Sequence, residues 1–239
     1  MTTVPIRPAA TVVVLREPAD TRDPFDILMV RRSDHVAFMA GAYVFPGGRV
    51  DEGDYPAPHV DLRAPVFSDL SARDEMAFRT AAVRELAEEA SVVITEDDLH
   101  PLAHWVTPDI EIRRFDTRFF LARMPMGQQP HHDQSETAAL EWLSPRAAIA
   151  RFEDKELLLP PPTWTTIRQL QKRTSIEDAL AWALSRQIVR VMPGVFQDGE
   201  HMTLTLPGDP SYPAMPGWDV PEETRFILED GRRWRPLRH

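Results

Sequence analysis

The sequence predicts a mixed α/β fold built as one compact unit, and three observations carry that prediction. Short β-branched and apolar runs dominate the first half of the chain. An amphipathic helical pattern interrupts them at 71–90, and further helical patterns fill the middle of the second half. No Gly/Ser-rich linker divides the 239 residues, and 43% of them are hydrophobic, enough for a normal core.

Residues 9–15 (AATVVVL) and 25–32 (FDILMVRR) read as strands joined by a polar loop. Residues 42–50 (AYVFPGGRV) read as a third strand broken at Pro46-Gly47-Gly48, where paired glycines let the backbone turn and approach a ligand. A polar, proline-containing segment leads to the helix, which opens at Ser71 with Asp74 three residues on, a capping pattern. On its wheel Met76, Val83, Leu86, Ala87 and Ala90 share one face. Glu85, Glu88 and Glu89 share the opposite face, with Arg84 at its margin. Residues 102–108 and 113–125 predict two more strands, 139–152 a strand end running into a helix, and 164–187 two helices broken near Thr174-Ser175. Residues 201–206 and 224–237 read as strands, with Asp230-Gly231 marking a hairpin turn. Of the 23 prolines, eight cluster at 156–162 and 207–221, which predicts turns and loops there rather than helices.

Composition removes several classes of function. The absence of cysteine excludes disulfides, zinc–thiolate sites and thiol nucleophiles, and it suits a reducing cytoplasm. A net charge of −10 argues against nucleic-acid binding. No run approaches the ~18 apolar residues of a membrane span. The apolar run at 10–15 is too short for a secretion signal and reads as a strand. Neither a nucleic acid nor a membrane is therefore expected as a partner, while a small anionic substrate stays open. Monomer and homodimer are both open.

Three glutamates crowd one helix face in AAVRELAEEASVV (81–93). Like charges at these spacings destabilise a helix by a few tenths of a kcal/mol per pair. One reading is a solvated acidic face relieved by an Arg84–Glu88 pair. The other is a hard-cation site, in which a bound ion turns the repulsion into attraction. Spacing alone leaves both open.

With the upstream glycines, FPGGRVDEGD and AAVRELAEEASV together resemble the box of the Nudix hydrolase family. Gly48 matches its first glycine, and Arg84, Glu85, Leu86, Glu88, Glu89 and Val92 match its helical half position by position. Three departures stand out. The first glutamate of the pattern falls on Asp54, an insertion of about 55–76 splits the box, and Ser91 replaces the glycine that ends the helix. The insertion leaves Glu52 and Asp51 as alternatives to Asp54. The resemblance implies an α/β/α sandwich with a mixed sheet over 1–150, and a C-terminal helical and β-hairpin extension over 151–239 packed on the same unit. It implies Mg²⁺ (or Mn²⁺) held by Glu85, Glu88, Glu89 and the Gly48 carbonyl. It also implies a catalytic role for Glu85 as a base or in orienting one, Arg84 holding a loop carboxylate, and Glu136 as a general base from a later loop.

The substrate expected from this resemblance is a nucleoside diphosphate derivative. Arg32-Ser33, Gly41 and Phe45-Pro46-Gly47-Gly48 are spaced as in the coenzyme A diphosphatases of the family, although Ala37 stands where an arginine is expected and His35 is the nearby substitute. The segment 104–125, the split box and the long tail look like the acyl-CoA-hydrolysing branch. Arg31, Arg32, Phe45, Arg113 and Arg114 are then the expected substrate contacts. ADP-ribose, NADH or a dinucleoside polyphosphate is the alternative substrate, and a non-catalytic nucleotide-sensing module is the rival from another class. The isomerases of this fold use a cysteine that the chain lacks. His131-His132-Asp133 reads as a polar loop, because adjacent extended side chains diverge. Trp105, Trp142 and Glu141 read as structural. Trp164 is open between lining the cleft and packing the extension.

Overall fold

A computed structural model describes residues 4–34, 39–58, 66–67, 69–131 and 137–237. Its central strand, β1 (Ile6–Arg16), runs parallel to β6 (Arg114–Arg123) from the Ile6↔Arg114 register to Leu15↔Arg123. The other side of β1 is shared. Its C-terminal end pairs with β2 (Asp26–Arg32) and its N-terminal part with β4 (Gly47–Arg49). β2 also carries β3 (Tyr43–Val44) and β7 (Thr137–Leu143), while β6 carries β5 (His100–Val106) and β5 carries β8 (Arg190–Val191). The result is a mixed eight-stranded sheet.

The third predicted strand is thus two strands. Pro46 has no amide for a ladder. Its carbonyl accepts from the Val12 amide at 2.9 Å, and the chain crosses there from pairing with β2 to pairing with β1.

Alternation along β1 and β6 divides the core in two. Val12, Val14, Phe120 and Ala122 face α1 (Ala72–Ala90). Val13, Leu15, Phe119 and Leu121 face the other side, toward α2 (Pro145–Glu153), α3 (Pro161–Leu170), α4 (Ile176–Ser185) and a second sheet. That sheet runs β12 (Arg233–Leu237), β11 (Arg225–Glu229), β10 (His201–Thr205), β9 (Gly194–Asp198), all antiparallel. Phe152, Trp164, Ile167, Leu204 and Phe226 join the main sheet in one apolar cluster. This is the α/β/α sandwich expected, with its appended hairpins.

Helix α1 is turned relative to the predicted wheel. Its buried stripe is Ala77, Phe78, Ala81, Ala82, Leu86 and Ala90, whereas Met76, Val83 and Ala87 are only partly covered. The alanines let the helix approach the sheet closely. Ser71 caps the N-terminus as expected, accepting from the Asp74 amide at 3.1 Å. At the other end Ser91 has φ 55°, the left-handed region that disfavours a Cβ by about 1 kcal/mol.

The inserted segment is anchored on its C-terminal side. The buried Glu75 carboxylate accepts from the Val66 and Phe67 amides at 2.6 and 2.9 Å, and from Arg79. Arg118, also buried, donates to both Asp69 oxygens at 2.9 and 2.8 Å and to His104 Nδ1 at 2.7 Å. Guanidinium only donates, so His104 Nδ1 accepts and Nε2 carries the hydrogen toward Asp116, 2.9 Å away.

Two further corrections fall in the second half. Pro161 and Pro162 lie not in a loop but in the first turn of α3, where missing amides leave no bond unmade. The short strands β8 and β9 lack a sequence signal because Pro193-Gly194 interrupts them. The Asp230-Gly231 turn is as expected, with φ of 52° and 66° as a type I′ hairpin requires. Trp164 is buried against Phe152, at 4.6 Å between ring centroids, so it packs the extension. Among the described residues, no helix is long and apolar enough to cross a membrane.

Asp209 gives the fold a measurable acid dependence. Arg225 donates to both of its oxygens at 2.9 Å, and the Ser211 amide adds a bond at 2.8 Å. The Arg225 guanidinium holds this buried carboxyl well below the usual carboxylate range. Its stabilisation is complete above the unfolded value near ~4 and is lost as pH falls through the lower folded value. The Tm difference between wild type and Asp209→Asn therefore shrinks on acidification below about pH 4. A pH-independent difference would refute this account.

Candidate active site

The last turns of α1 face β4 across a short gap, and glycine makes that approach feasible. A Cβ on Gly48 would lie 2.3 Å from Glu85 Cδ, and one on Gly47 would lie 2.3 Å from the Ala10 carbonyl oxygen. The Gly47 amide donates to Glu89 Oε2 at 2.9 Å.

Arg84 organises the rest. Its Nε and Nη2 grip the two Asp54 oxygens at 2.9 and 3.0 Å, and Nη2 also donates to the Arg49 carbonyl at 2.9 Å. Its Nη1 reaches Glu85 at 2.8 Å and Glu88 at 3.1 Å. Asp54, rather than Glu52 or Asp51, is therefore the loop carboxylate that Arg84 holds. Burial pushes the Asp54 carboxyl up, but the bonds from Arg84 and the Asp51 amide outweigh it and leave it below the usual range. Glu85 goes the other way. Burial raises it, and Glu88 and Asp51 add to that against the pull of Arg84. Among the described residues, no three acidic or histidine side chains are gathered as a metal cluster where they stand. Glu85 and Glu88 turn to Arg84, and Glu89 bonds the Gly47 amide.

A cleft of about 1050 Å³ opens over this group. Gly48, Arg84, Glu85, Glu88 and Glu89 line it, as do Arg32, Phe45, Arg113 and Arg114. Arg31 does not. Neighbours on a strand point to opposite faces, and its guanidinium bonds Asp34 at 2.9 Å outside the cleft. Glu136, His132, Asp133, His35 and Ala37 lie outside the described residues. Glu141 pairs with Arg151 at 2.5 Å, and Trp142 stacks under Arg16, so both are structural.

Two arginines that sequence reasoning missed also line the cleft, Arg7 and Arg49. Arg49 directly follows the glycine pair, which was a usable signal. Arg7 had none, because the β1–β6 register alone sets Arg7 opposite Phe115, beside Arg114. The lining also has an apolar part: Trp105, Phe119, Pro161, Val195, Leu204 and Trp234. Its last three residues belong to the second sheet.

Alanine at 48 would displace the Glu85 carboxylate. Gly48→Ala is expected to lower kcat by roughly 10²-fold, the effect of an ångström-scale misplacement. A fall under about threefold in steady-state assays would make Glu85 a bystander.

A glycine turn held against a glutamate-rich helix by the grip of a part-exposed arginine on a buried carboxylate, on an α/β/α sandwich, is the arrangement that the sequence resemblance led us to expect. A family model described as NUDIX domain matches residues 5–161, so the chain belongs to the Nudix hydrolase family. It is similar to the acyl-coenzyme A diphosphatase NUDT19 of Homo sapiens, 28% identical, with 79% of this chain and 72% of that protein covered. The acyl-coenzyme A diphosphatase NUDT19 of Xenopus laevis is 22% identical, with 85% and 75% covered. The crystal structure of a Nudix hydrolase from Alicyclobacillus acidocaldarius matches with a TM-score of 0.62 and 26% identity. It covers 75% of this chain and 97% of that one.

Proposed function

We propose that the protein hydrolyses the diphosphate of coenzyme A or acyl-coenzyme A. Water adds to a phosphorus, the bridging P–O bond breaks, and the products are 3′,5′-ADP and (acyl-)phosphopantetheine. One observation carries this reading. The cleft gathers in one lining the glutamate face of α1, the arginines Arg7, Arg32, Arg49, Arg113 and Arg114, and apolar residues of the main sheet and the extension. A substrate with a diphosphate, a further phosphate and an apolar arm matches that lining. The similarity to acyl-coenzyme A diphosphatases supports it.

The donor set suits Mg²⁺ or Mn²⁺. Every donor is a hard oxygen, and Glu85, Glu88 and Glu89 all stand on one helix face lining the cleft, where a cation would offset their mutual repulsion. Glu85, Glu88, Glu89 and the Gly48 carbonyl would hold the ion, which when bound neutralises the diphosphate and activates water. Arg84 fixes the helix against β4. Arg32, Arg113, Arg114, Arg7 and Arg49 meet phosphate charge, and Phe45 supports the cleft floor. Glu136 is assigned to take the proton from the attacking water, on its place in the sequence. Residues 151–239 belong to the same unit in this reading and shape the substrate cleft. A cytoplasmic setting accords with a chain free of cysteine.

The test is a product assay with Mg²⁺ and a panel of CoA, acetyl-CoA, a long-chain acyl-CoA, ADP-ribose, NADH and a diadenosine polyphosphate, read by mass. Release of 3′,5′-ADP from the CoA compounds is the expected result. Cleavage of the others alone overturns the substrate, and cleavage of none favours a nucleotide-sensing module.

A further inference from the structure

A second groove, of about 470 Å³, lies beside the cleft. Pro193 and Val195 line both, so the two adjoin along this short segment. Met192, Phe196, Tyr212, Pro213, Ala214 and Met215 give the groove a mainly apolar lining, to which Asp109, Thr205 and Ser211 add polar groups. Its shape depends on the small sheet. Gly194 pairs with Thr205 in the β9–β10 register, and a Cβ on Gly194 would lie 2.9 Å from Thr205 Oγ1 and 3.7 Å from the Tyr212 ring. The Tyr212 hydroxyl is satisfied by the backbone, donating to the Met192 carbonyl at 2.8 Å.

Where the groove adjoins the cleft, β9 is a sheet edge. Among the described residues it pairs only with β10. An edge strand presents backbone amides and carbonyls in a row, ready for an extended partner. β9 thus borders both spaces: Val195 lines the cleft and the groove, and Gly194 and Phe196 line the groove.

We propose that this groove is an acyl-chain subsite, entered by the pantetheine arm along β9. The inference rests on the acyl-coenzyme A reading above and deepens it. The pantetheine arm carries two amides, the hydrogen-bonding groups an open edge can pair. Beyond them lies the acyl group, whose methylenes need an apolar surface. Each methylene taken from water strengthens binding by about fourfold, so the groove makes turnover depend on chain length.

The experiment compares kcat/KM for a long-chain acyl-CoA with kcat/KM for free CoA, using the full chain. Ala214→Trp fills the groove at an exposed position, and Phe196→Glu places a charge in it. In the wild type the ratio exceeds one, and in each variant it falls about tenfold or more. Circular dichroism confirms that both variants are folded. Two variants address the same groove by bulk and by charge, so a folding failure in one leaves the other to decide. A wild-type ratio at or below one, or a ratio that neither variant moves, overturns the subsite and leaves the CoA diphosphatase reading standing. Failure of the wild type to cleave any CoA compound overturns that reading itself, and the subsite with it.

Discussion

Arg84→Ala is expected to destabilise the fold by about 3 kcal/mol and to remove turnover. Asp54 is only 4% exposed, and Arg84 supplies both of its guanidinium bonds. Removing one partner of a buried ion pair leaves the other charge desolvated, at a typical cost of roughly 3–5 kcal/mol. Arg84 itself is partly exposed, which places this case at the lower end. The same substitution frees the Arg49 carbonyl and the Glu85 carboxylate, so β4 and α1 lose their shared anchor. Denaturant midpoints measure the stability loss. A double-mutant cycle with Asp54→Asn isolates the pair, because the double variant should recover part of it. A loss under about 1 kcal/mol would mean that Asp54 is satisfied without Arg84.

The second large effect separates chemistry from folding. Glu88→Gln combined with Glu89→Gln is expected to lower turnover by at least about 10³-fold, several kcal/mol of lost electrostatic stabilisation. The denaturant midpoint should hardly move. Glu88 is exposed, and a glutamine oxygen at 89 can still accept from the Gly47 amide. Near-wild-type activity in this variant would sink the assignment of a cation to this helix face.

Much of this site was legible in one dimension because it is local. A helix places residues three and four apart side by side, so Arg84, Glu85, Glu88 and Glu89 announce themselves by spacing. The glycine pair was legible for a related reason, since close backbone approach leaves few alternatives to glycine. The strands of the main sheet followed from their β-branched and apolar runs, and the Asp230-Gly231 turn from its dihedral demands.

What spacing could not give depended on partners distant along the chain. Sequence left Asp54 in competition with Glu52 and Asp51. Only the grip of Arg84 on both Asp54 oxygens, against 4.0 Å to Asp51, decided among them. Arg31 and Arg32 look equivalent in sequence, yet strand geometry turns only Arg32 into the cleft. Arg7 enters it because β1 lies parallel to β6, a pairing that no local pattern encodes. The wheel of α1 was misjudged by a fraction of a turn, because which alanines are covered depends on what packs against them. The sequence by itself determined the glutamate-rich helix, the glycine turn and the family. Tertiary structure alone decided which carboxylate anchors the helix, which arginines face the cleft, and that β9 and its neighbours open an apolar groove beside it. Side-chain spacing is a property of the chain, whereas burial and pairing are properties of surfaces that exist only once distant segments have met.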